Sequence, residues 1–399
     1  MKSPPKSVGA HESPAEHERG TTERVGARKI VLCTQDFPPD RGGIQTYCDE
    51  LSKALVRAGH QVVVVAPGRG AARAEGGRPE IRRIRVPGSW LMLPLAWRLP
   101  RLIGELRPDA VLFAQWQLAV GLPRLPVRSG CMVHGRELLT SVLDPATPWI
   151  LPRVMRRFDV VFPVSAPIAA LLAERAAPRR VLRVWPGVDA ERFTPLTAEA
   201  RRALRIRYGI EADAVVLGAV GRLAERKNVG HLIAALPTLR DLPVRVVIAG
   251  RGPLEHALRA QAVALGVADR VCFLGAVADA ELPGVMGLCD VLVLPGLAAR
   301  SARDVEGFGI VFAEAAACGV PAVAGASGGI VDAVIDGETG VLVRDLAELP
   351  AVLRALIVDA PRREQLGRAA RARVLRELTW AHTAQAIVTA LDLTSGASA

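Results

Sequence analysis

The chain has 399 residues, half of them hydrophobic, and a formal net charge of +11 carried almost entirely by arginine. That length suffices for two domains of ordinary size, each with its own core. No apolar run approaches the roughly 20 residues a membrane-spanning helix needs, and the basic residues are spread without the clustered basic and aromatic pattern of a nucleic-acid binder, which excludes nucleic acid as a partner.

Residues 1–28 are polar, with Pro4, Pro5, Pro14 and several Ser and Glu. They predict a disordered extension, and they lack the apolar core and small-residue cleavage site of a secretion signal. The expected location is the cytoplasm. From Lys29 the chain alternates short β-branched runs with helical patterns, as parallel α/β folds do. The first series is a strand over 29–34, a loop through Pro38, Asp40, Arg41, Gly42 and Gly43, a helix from about Ile44 to Ala58 and a strand over 61–66. Further strands follow near 110–113, 130–133 and 160–164, with Ser165 as N-cap of the next helix. Periodicity breaks between Val184 and Pro195, where Pro186, Gly187 and Pro195 mark a connection. This sets a first domain of 29–188 and a second of 189–378. The second series has strands at 214–220, 244–249, 271–274 and 290–294. Its helices fall near 229–239, 254–265, 281–288 and 308–317, and helical patterns near 361–378 and 379–393 close the chain. Two doubly wound domains with this order face each other across a cleft at their strand C-termini, where ligands bind.

The six cysteines form no C-x-x-C pair and sit mostly in apolar stretches, so free buried thiols are expected. The histidines lack ligand spacing and there is no D-x-D motif, so neither a metal nor another cofactor is expected.

Four places carry chemistry. Gly42 and Gly43 stand between the first strand and first helix, where backbone can approach an anion, or where the chain simply turns tightly. Arg222 and Lys227 flank the loop after the first strand of the second half. They can clamp a diphosphate, or be a solvated basic loop. Glu306, Gly307, Phe308, Gly309 and Ile310 lead into a helix carrying Glu314, which lies roughly 6–9 Å from the helix start. That is the separation of a ribose from a diphosphate at the helix N-terminus; a plain surface charge is the alternative for Glu314. His134 ends an apolar strand of the first half, and can meet a sugar hydroxyl or be structural. Separately, residues 81–108 mix Arg82, Arg83, Arg85, Arg98, Arg101 and Arg107 with Trp90, Leu91, Met92, Leu93, Leu95 and Trp97, a composition suited to peripheral contact with anionic lipid.

In this order, the Phe37–Tyr47 segment, the Pro186–Phe193 segment, Gly221-Arg222-Leu223 with Lys227, the E-x7-E run Glu306–Glu314 and Ser327-Gly328-Gly329 resemble the family 4 retaining glycosyltransferases of GT-B fold. Met92-Leu93-Pro94, His134-Gly135 and Asp304–Ile310 are similar to the actinobacterial GDP-mannose-dependent phosphatidylinositol mannoside mannosyltransferases. The chain departs from them at Arg136, in residues 138–150 and in residues 296–303. The resemblance implies a nucleotide-sugar donor, transfer of a hexose, mannose above all, without metal, and a hydroxyl acceptor that is lipid-linked or a polyol. It implies that Gly43 lies against the diphosphate and that Arg222 and Lys227 neutralise it. Glu306 and His134 would meet the hexose, Gly307–Ile310 sugar and phosphate, and Glu314 the ribose. It implies too that the last helix, 379–395, crosses back onto the first domain. A UDP-sugar transferase acting on a small molecule, a sugar-nucleotide epimerase and a non-catalytic sugar-nucleotide binder are the rival readings. Nothing in the sequence sets the oligomeric state.

Overall fold

The computed structural model describes residues 26–39, 42–139, 146–296 and 306–393. Most of the predicted N-terminal extension, Asp40 and Arg41, much of the stretch 138–150, nearly all of the loop 296–303, Asp304, and the end of the last predicted helix lie outside them.

The apolar runs build two sheets. The first comprises β1 (Lys29–Cys33), β2 (Gln61–Pro67), β3 (Ala71–Ala72), β4 (Glu80–Ile84), β5 (Ala110–Phe113), β6 (Arg128–Val133) and β7 (Val160–Pro163), in the order β3-β4-β2-β1-β5-β6-β7. Only β3 pairs antiparallel. The second comprises β8 (Val215–Val220), β9 (Val244–Ala249), β10 (Val271–Gly275), β11 (Val291–Leu294), β12 (Ala322–Gly325) and β13 (Gly340–Val343), in the order β10-β9-β8-β11-β12-β13. The central strands are buried along their whole length. Helices cover both faces, and this is why such strands read as continuous apolar runs without alternation.

In each sheet the chain reverses its direction of travel beside the first strand, between β1 and β5 and between β8 and β11. The loops after these strands diverge there and leave a crevice. Two such crevices facing each other make the GT-B architecture.

Several elements escaped the sequence pattern. Strand β4 reads Glu-Ile-Arg-Arg-Ile and β12 reads Ala-Val-Ala-Gly. Neither has a β-branched majority, and both owe their conformation to the strand alongside. β13 and the helix Leu349–Val358 were likewise not expected. The predicted helix over 229–239 ends at Ala235 and continues as a 3-10 turn, Leu236–Leu239, because Pro237 has no N–H to donate.

The segment 81–108 is divided. Arg82 pairs with Glu80 and Glu105, and Arg83 lies over the Phe37 ring and donates to the Pro38 and Pro67 carbonyls. These two arginines are spent within the fold, which corrects the view of the whole segment as lipid-facing. Met92–Leu106 is a helix that buries Leu95, Leu99 and Ile103 and leaves Leu93 52% and Trp97 77% exposed. Among the described residues no helix is long and apolar enough to cross a membrane.

The two halves are joined by more than the connection. Helix Trp380–Ala390 follows the second half yet packs on helix Gly43–Arg57 of the first. Trp380 meets Tyr47 edge-on at 5.3 Å, and Val188 N–H donates to Leu378 O at 2.8 Å. Burying a side chain of that size stabilises by about 2–3 kcal/mol. A second bond crosses at Asp332. Its carboxylate accepts from Ala166 N–H at 2.8 Å and from Trp185 Nε1 at 3.0 Å. Ser165 does precede helix Ala166–Arg175, but its buried hydroxyl makes no bond. The expected Ser165 cap is therefore replaced by a carboxylate from the opposite half. All six cysteines are free.

Candidate active site

One cleft of about 1860 Å³ runs between the two sheets, and every sequence-predicted site residue lines it: Gly42, Gly43, His134, Arg222, Lys227, the run Glu306–Ile310, and Glu314. Two helix N-termini open onto it. Gly42 precedes helix Gly43–Arg57, and a Cβ at Gly43 would meet nothing within 4 Å, so the backbone there faces free space. Opposite, helix Ile310–Ala317 begins after Gly309, whose φ of +86° lies in the left-handed region. A residue with a Cβ disfavours that turn, and this is why the helix starts at Ile310 and not at Phe308. Free N–H groups and the partial positive charge at both ends suit a bridging anion.

The wall contributed by the second half is cationic. Glu306 Oε2 accepts from Arg226 Nη1 at 2.5 Å and from Lys227 Nζ at 2.9 Å. Burial alone would raise the Glu306 pKa, but the charges and hydrogen bonds of Lys227 and Arg226 together outweigh it and hold the carboxyl below its ordinary range. Arg222 lines the same wall, while the Glu306 ion pairs go to Arg226 and Lys227. Arg226 is a residue that sequence reasoning missed. Its signal was present, since it precedes Lys227 in the loop already chosen.

The Glu306 loop is held in place by glycines. Gly329 N–H donates to Glu306 O at 2.8 Å, and a Cβ at Gly329 would collide with the Gly307 carbonyl. A Cβ at Gly307 would collide in turn with the His134 carbonyl of the first half. The Ser327-Gly328-Gly329 mark is thus a buttress for the Glu306 loop, and the two halves touch where the site is.

Glu314 sits one turn into its helix, half-buried, its carboxylate without a hydrogen-bond partner among the described residues. Burial pushes its carboxyl up to about 7, with Arg192 opposing and Asp279 adding to the rise. Arg192 and Asp279 pair at 3.0 Å and both line the cleft.

On the other wall, His134 lies 4.9 Å edge-on from Tyr47. Burial drives its pKa down to about 4, against a ring hydrogen bond to the Ala114 backbone. Nε2 is buried without a partner, so the neutral imidazole keeps one ring nitrogen for a group in the cleft. Glu137, also missed, accepts from the backbone N–H groups of His134 and Gly135 and fixes that loop. Burial raises its pKa, the backbone hydrogen bonds oppose, and the nearby charge of Asp36 adds to the rise. Among the described residues no group of three or more His, Cys, Asp or Glu is placed to hold a metal ion.

Residues 200–373 match the family described as glycosyl transferases group 1, and residues 41–192 match glycosyltransferase family 4. The GDP-mannose-dependent alpha-(1-6)-phosphatidylinositol monomannoside mannosyltransferase of Mycolicibacterium smegmatis is 38% identical over 367 residues, 88% of this chain and 95% of that one. The GDP-mannose-dependent monoacylated alpha-(1-6)-phosphatidylinositol monomannoside mannosyltransferase of Corynebacterium glutamicum is 32% identical, over 89% and 95%. Among solved structures, a sucrose-phosphate synthase from Thermosynechococcus elongatus superposes with a TM-score of 0.74 at 21% identity. The match covers 91% of this chain and 98% of that one, and it is a likeness of fold.

Proposed function

The chain belongs to the family 4 and group 1 glycosyltransferases, and from that premise we propose that it moves mannose from GDP-mannose, with retention, to a hydroxyl of a mannosylated, inositol-containing lipid. The observation that carries this reading is the convergence of Arg222, Lys227, Glu306 and the helix N-terminus at Ile310 on one cleft opposite His134, in a chain 38% identical to an enzyme named for that donor and that lipid class.

In this reading the diphosphate lies between the N-termini of helices Gly43–Arg57 and Ile310–Ala317. Arg222 and Lys227 take up the charge that develops on it, in place of a metal. Glu306 and His134 Nε2 hold hexose hydroxyls, and Glu314 accepts from the ribose. The acceptor hydroxyl attacks C1 from the face the nucleotide leaves, C1–O to the phosphate breaks, and the departing phosphate oxygen takes the proton. Glu306 and Glu314 then hold two ends of one ligand and are not an acid and base pair at one bond.

The lipid acceptor is reached from a surface. Trp90 is 59%, Leu93 52% and Trp97 77% exposed. Arg98 and Arg101 are exposed on the same helix, which supports peripheral docking on the anionic inner face of the plasma membrane. Trp149, 72% exposed, stands on helix Thr147–Met155, which packs on the same 3-10 turn Trp116–Ala119 as helix Met92–Leu106.

A thermal-shift series with GDP, UDP, ADP and dTDP, followed by nucleotide release from the matching mannosyl and glucosyl donors, tests the donor. GDP should give the largest shift, and turnover should survive a chelator. Equal or faster use of a UDP-sugar would overturn the donor assignment, and an epimerised free nucleotide sugar would overturn transfer. Co-sedimentation with vesicles of anionic and of neutral lipid tests the surface, with Trp97→Ser expected to weaken binding to the anionic ones.

A further inference from the structure

Six side-chain atoms among the described residues are buried without a hydrogen-bond partner, and four of them, on Tyr47, Gln117, His134 and Glu137, line the cleft. A buried polar atom left unpaired is destabilising, so a cluster of them at a site marks groups kept for a ligand. The donor reading uses His134. Gln117 and Glu137 have no task in it beyond the bonds Glu137 Oε1 makes to its own loop.

These two come from separate elements. Gln117 is on the 3-10 turn Trp116–Ala119 after β5, and Glu137 is in the short helix Arg136–Leu139 after β6. They are 7% and 6% exposed. The Trp116 indole ties the two segments together, donating to Glu137 O at 3.1 Å. Oε1 of Gln117 has no partner among the described residues. Oε2 of Glu137 is its unpaired oxygen.

The charge of this floor selects what can sit on it. Asp36, which accepts from Gln45 Nε2 at 3.0 Å and from Gln115 Nε2 at 2.8 Å, adds a second carboxyl close enough to raise the Glu137 pKa. Two carboxyls repel a phosphate. A neutral ring with several hydroxyls fits instead, because each hydroxyl both donates and accepts.

We propose that Gln117 and Glu137 form the acceptor-ring subsite, in which hydroxyls of a neutral sugar or cyclitol ring pair with the Gln117 amide and with Glu137 Oε2. This rests on the transferase reading above and names the acceptor chemistry of that same cleft. The turn that bears Gln117 is also the one on which the exposed helix Met92–Leu106 packs, so a ring held here stays near the surface assigned to lipid.

The test is steady-state kinetics on the full chain with GDP-mannose and detergent-solubilised phosphatidylinositol monomannoside. Donor hydrolysis without acceptor is followed in parallel. Gln117→Leu should raise the acceptor KM roughly tenfold, leaving donor KM and acceptor-free hydrolysis within about twofold. Gln117→Glu, which keeps an acceptor oxygen, should recover most of the loss. Glu137→Gln keeps one oxygen for the His134 and Gly135 N–H groups but turns an N–H₂ toward the ring, and should raise the same KM. An unchanged acceptor KM, or a change confined to donor KM or hydrolysis, overturns the subsite. If the lipid receives no mannose while hydrolysis proceeds, the acceptor reading has failed, and free mannose and myo-inositol become the probes. Faster donor turnover with either, lost in Gln117→Leu, supports the subsite, and acceleration by neither overturns it.

Discussion

The two walls of the cleft are built in opposite ways. The donor wall comes from one short loop, Arg222–Lys227, and one continuous run, Glu306–Glu314, with Arg192 and Asp279 behind Glu314. It carries the cations Arg222, Arg226 and Lys227, and its Glu306 is already paired with two of them. The acceptor wall collects Asp36, Gln115, Gln117 and Glu137 from the ends of β1, β5 and β6, beside the His134 assigned to the hexose. It is acidic, and several of its polar atoms are unpaired. A wall that must bind a fixed, highly charged group rewards local, charged, helix-terminal geometry. A wall that must orient a neutral hydroxyl ring rewards uncharged or half-satisfied groups, which can come from anywhere on a sheet edge.

If this contrast is right, damage on the donor wall should be large and felt whatever the acceptor. Lys227→Ala removes a phosphate cation and half of the Glu306 pairing. Transfer to lipid and acceptor-free donor hydrolysis should both fall by roughly 10²–10³, measured as kcat at saturating donor. Retention of hydrolysis alone would move Lys227 off the donor wall. Next comes Gly329→Ala, whose methyl must displace the Gly307 carbonyl. It should cost about 1–3 kcal/mol of stability and lower activity on every acceptor equally. A shift confined to acceptor KM would mean that the buttress serves the other wall.

Asp332→Ala touches neither wall but cuts the bond between halves at Ala166 and Trp185. Losing such a cap costs about 1 kcal/mol. Calorimetry should show the two halves unfolding less cooperatively, with the GDP-induced shift reduced but present. The smallest effect concerns Glu314. Its carboxyl titrates at about 7 in the folded protein, above the ordinary value near 4.3 of the unfolded chain. Between those two values the folded state holds the extra proton, so this group lets stability fall as pH rises through the window and level off above it. Glu314→Gln should therefore raise Tm at pH 8, on the order of 2 °C, and leave it unchanged at pH 4.5. GDP affinity of the native protein should meanwhile improve as pH rises through 7, because the ionised carboxylate is the better acceptor for ribose hydroxyls. A Tm gain equal at both pH values would place the carboxyl in an ordinary, solvated setting.

The contrast also explains what could be read before the structure. Glu306 and Glu314 could be placed on one cleft because their separation depends on spacing along one segment, which helical rise fixes whatever surrounds it, and Lys227 because its loop follows an unmistakable apolar strand. The alternation of strands and helices was legible for the same reason, since buried parallel strands are continuous apolar runs. Strands such as β12, Ala-Val-Ala-Gly, were not, because what makes them strands is the neighbour they pair with. Ser165 looked like a cap by residue type, yet Asp332, 166 residues from the Ala166 N–H it accepts from, does the capping. Gln117 and Glu137 carried no motif at all. The sequence by itself determined the alternation of the long apolar strands with helices, the spacing of Glu306 and Glu314 and the family, which rest on patterns short in chain distance. Only the tertiary structure decided which polar groups share the acceptor floor, which arginines are spent inside the fold and how the halves are tied. Those depend on long-range pairings whose partners are chosen by packing.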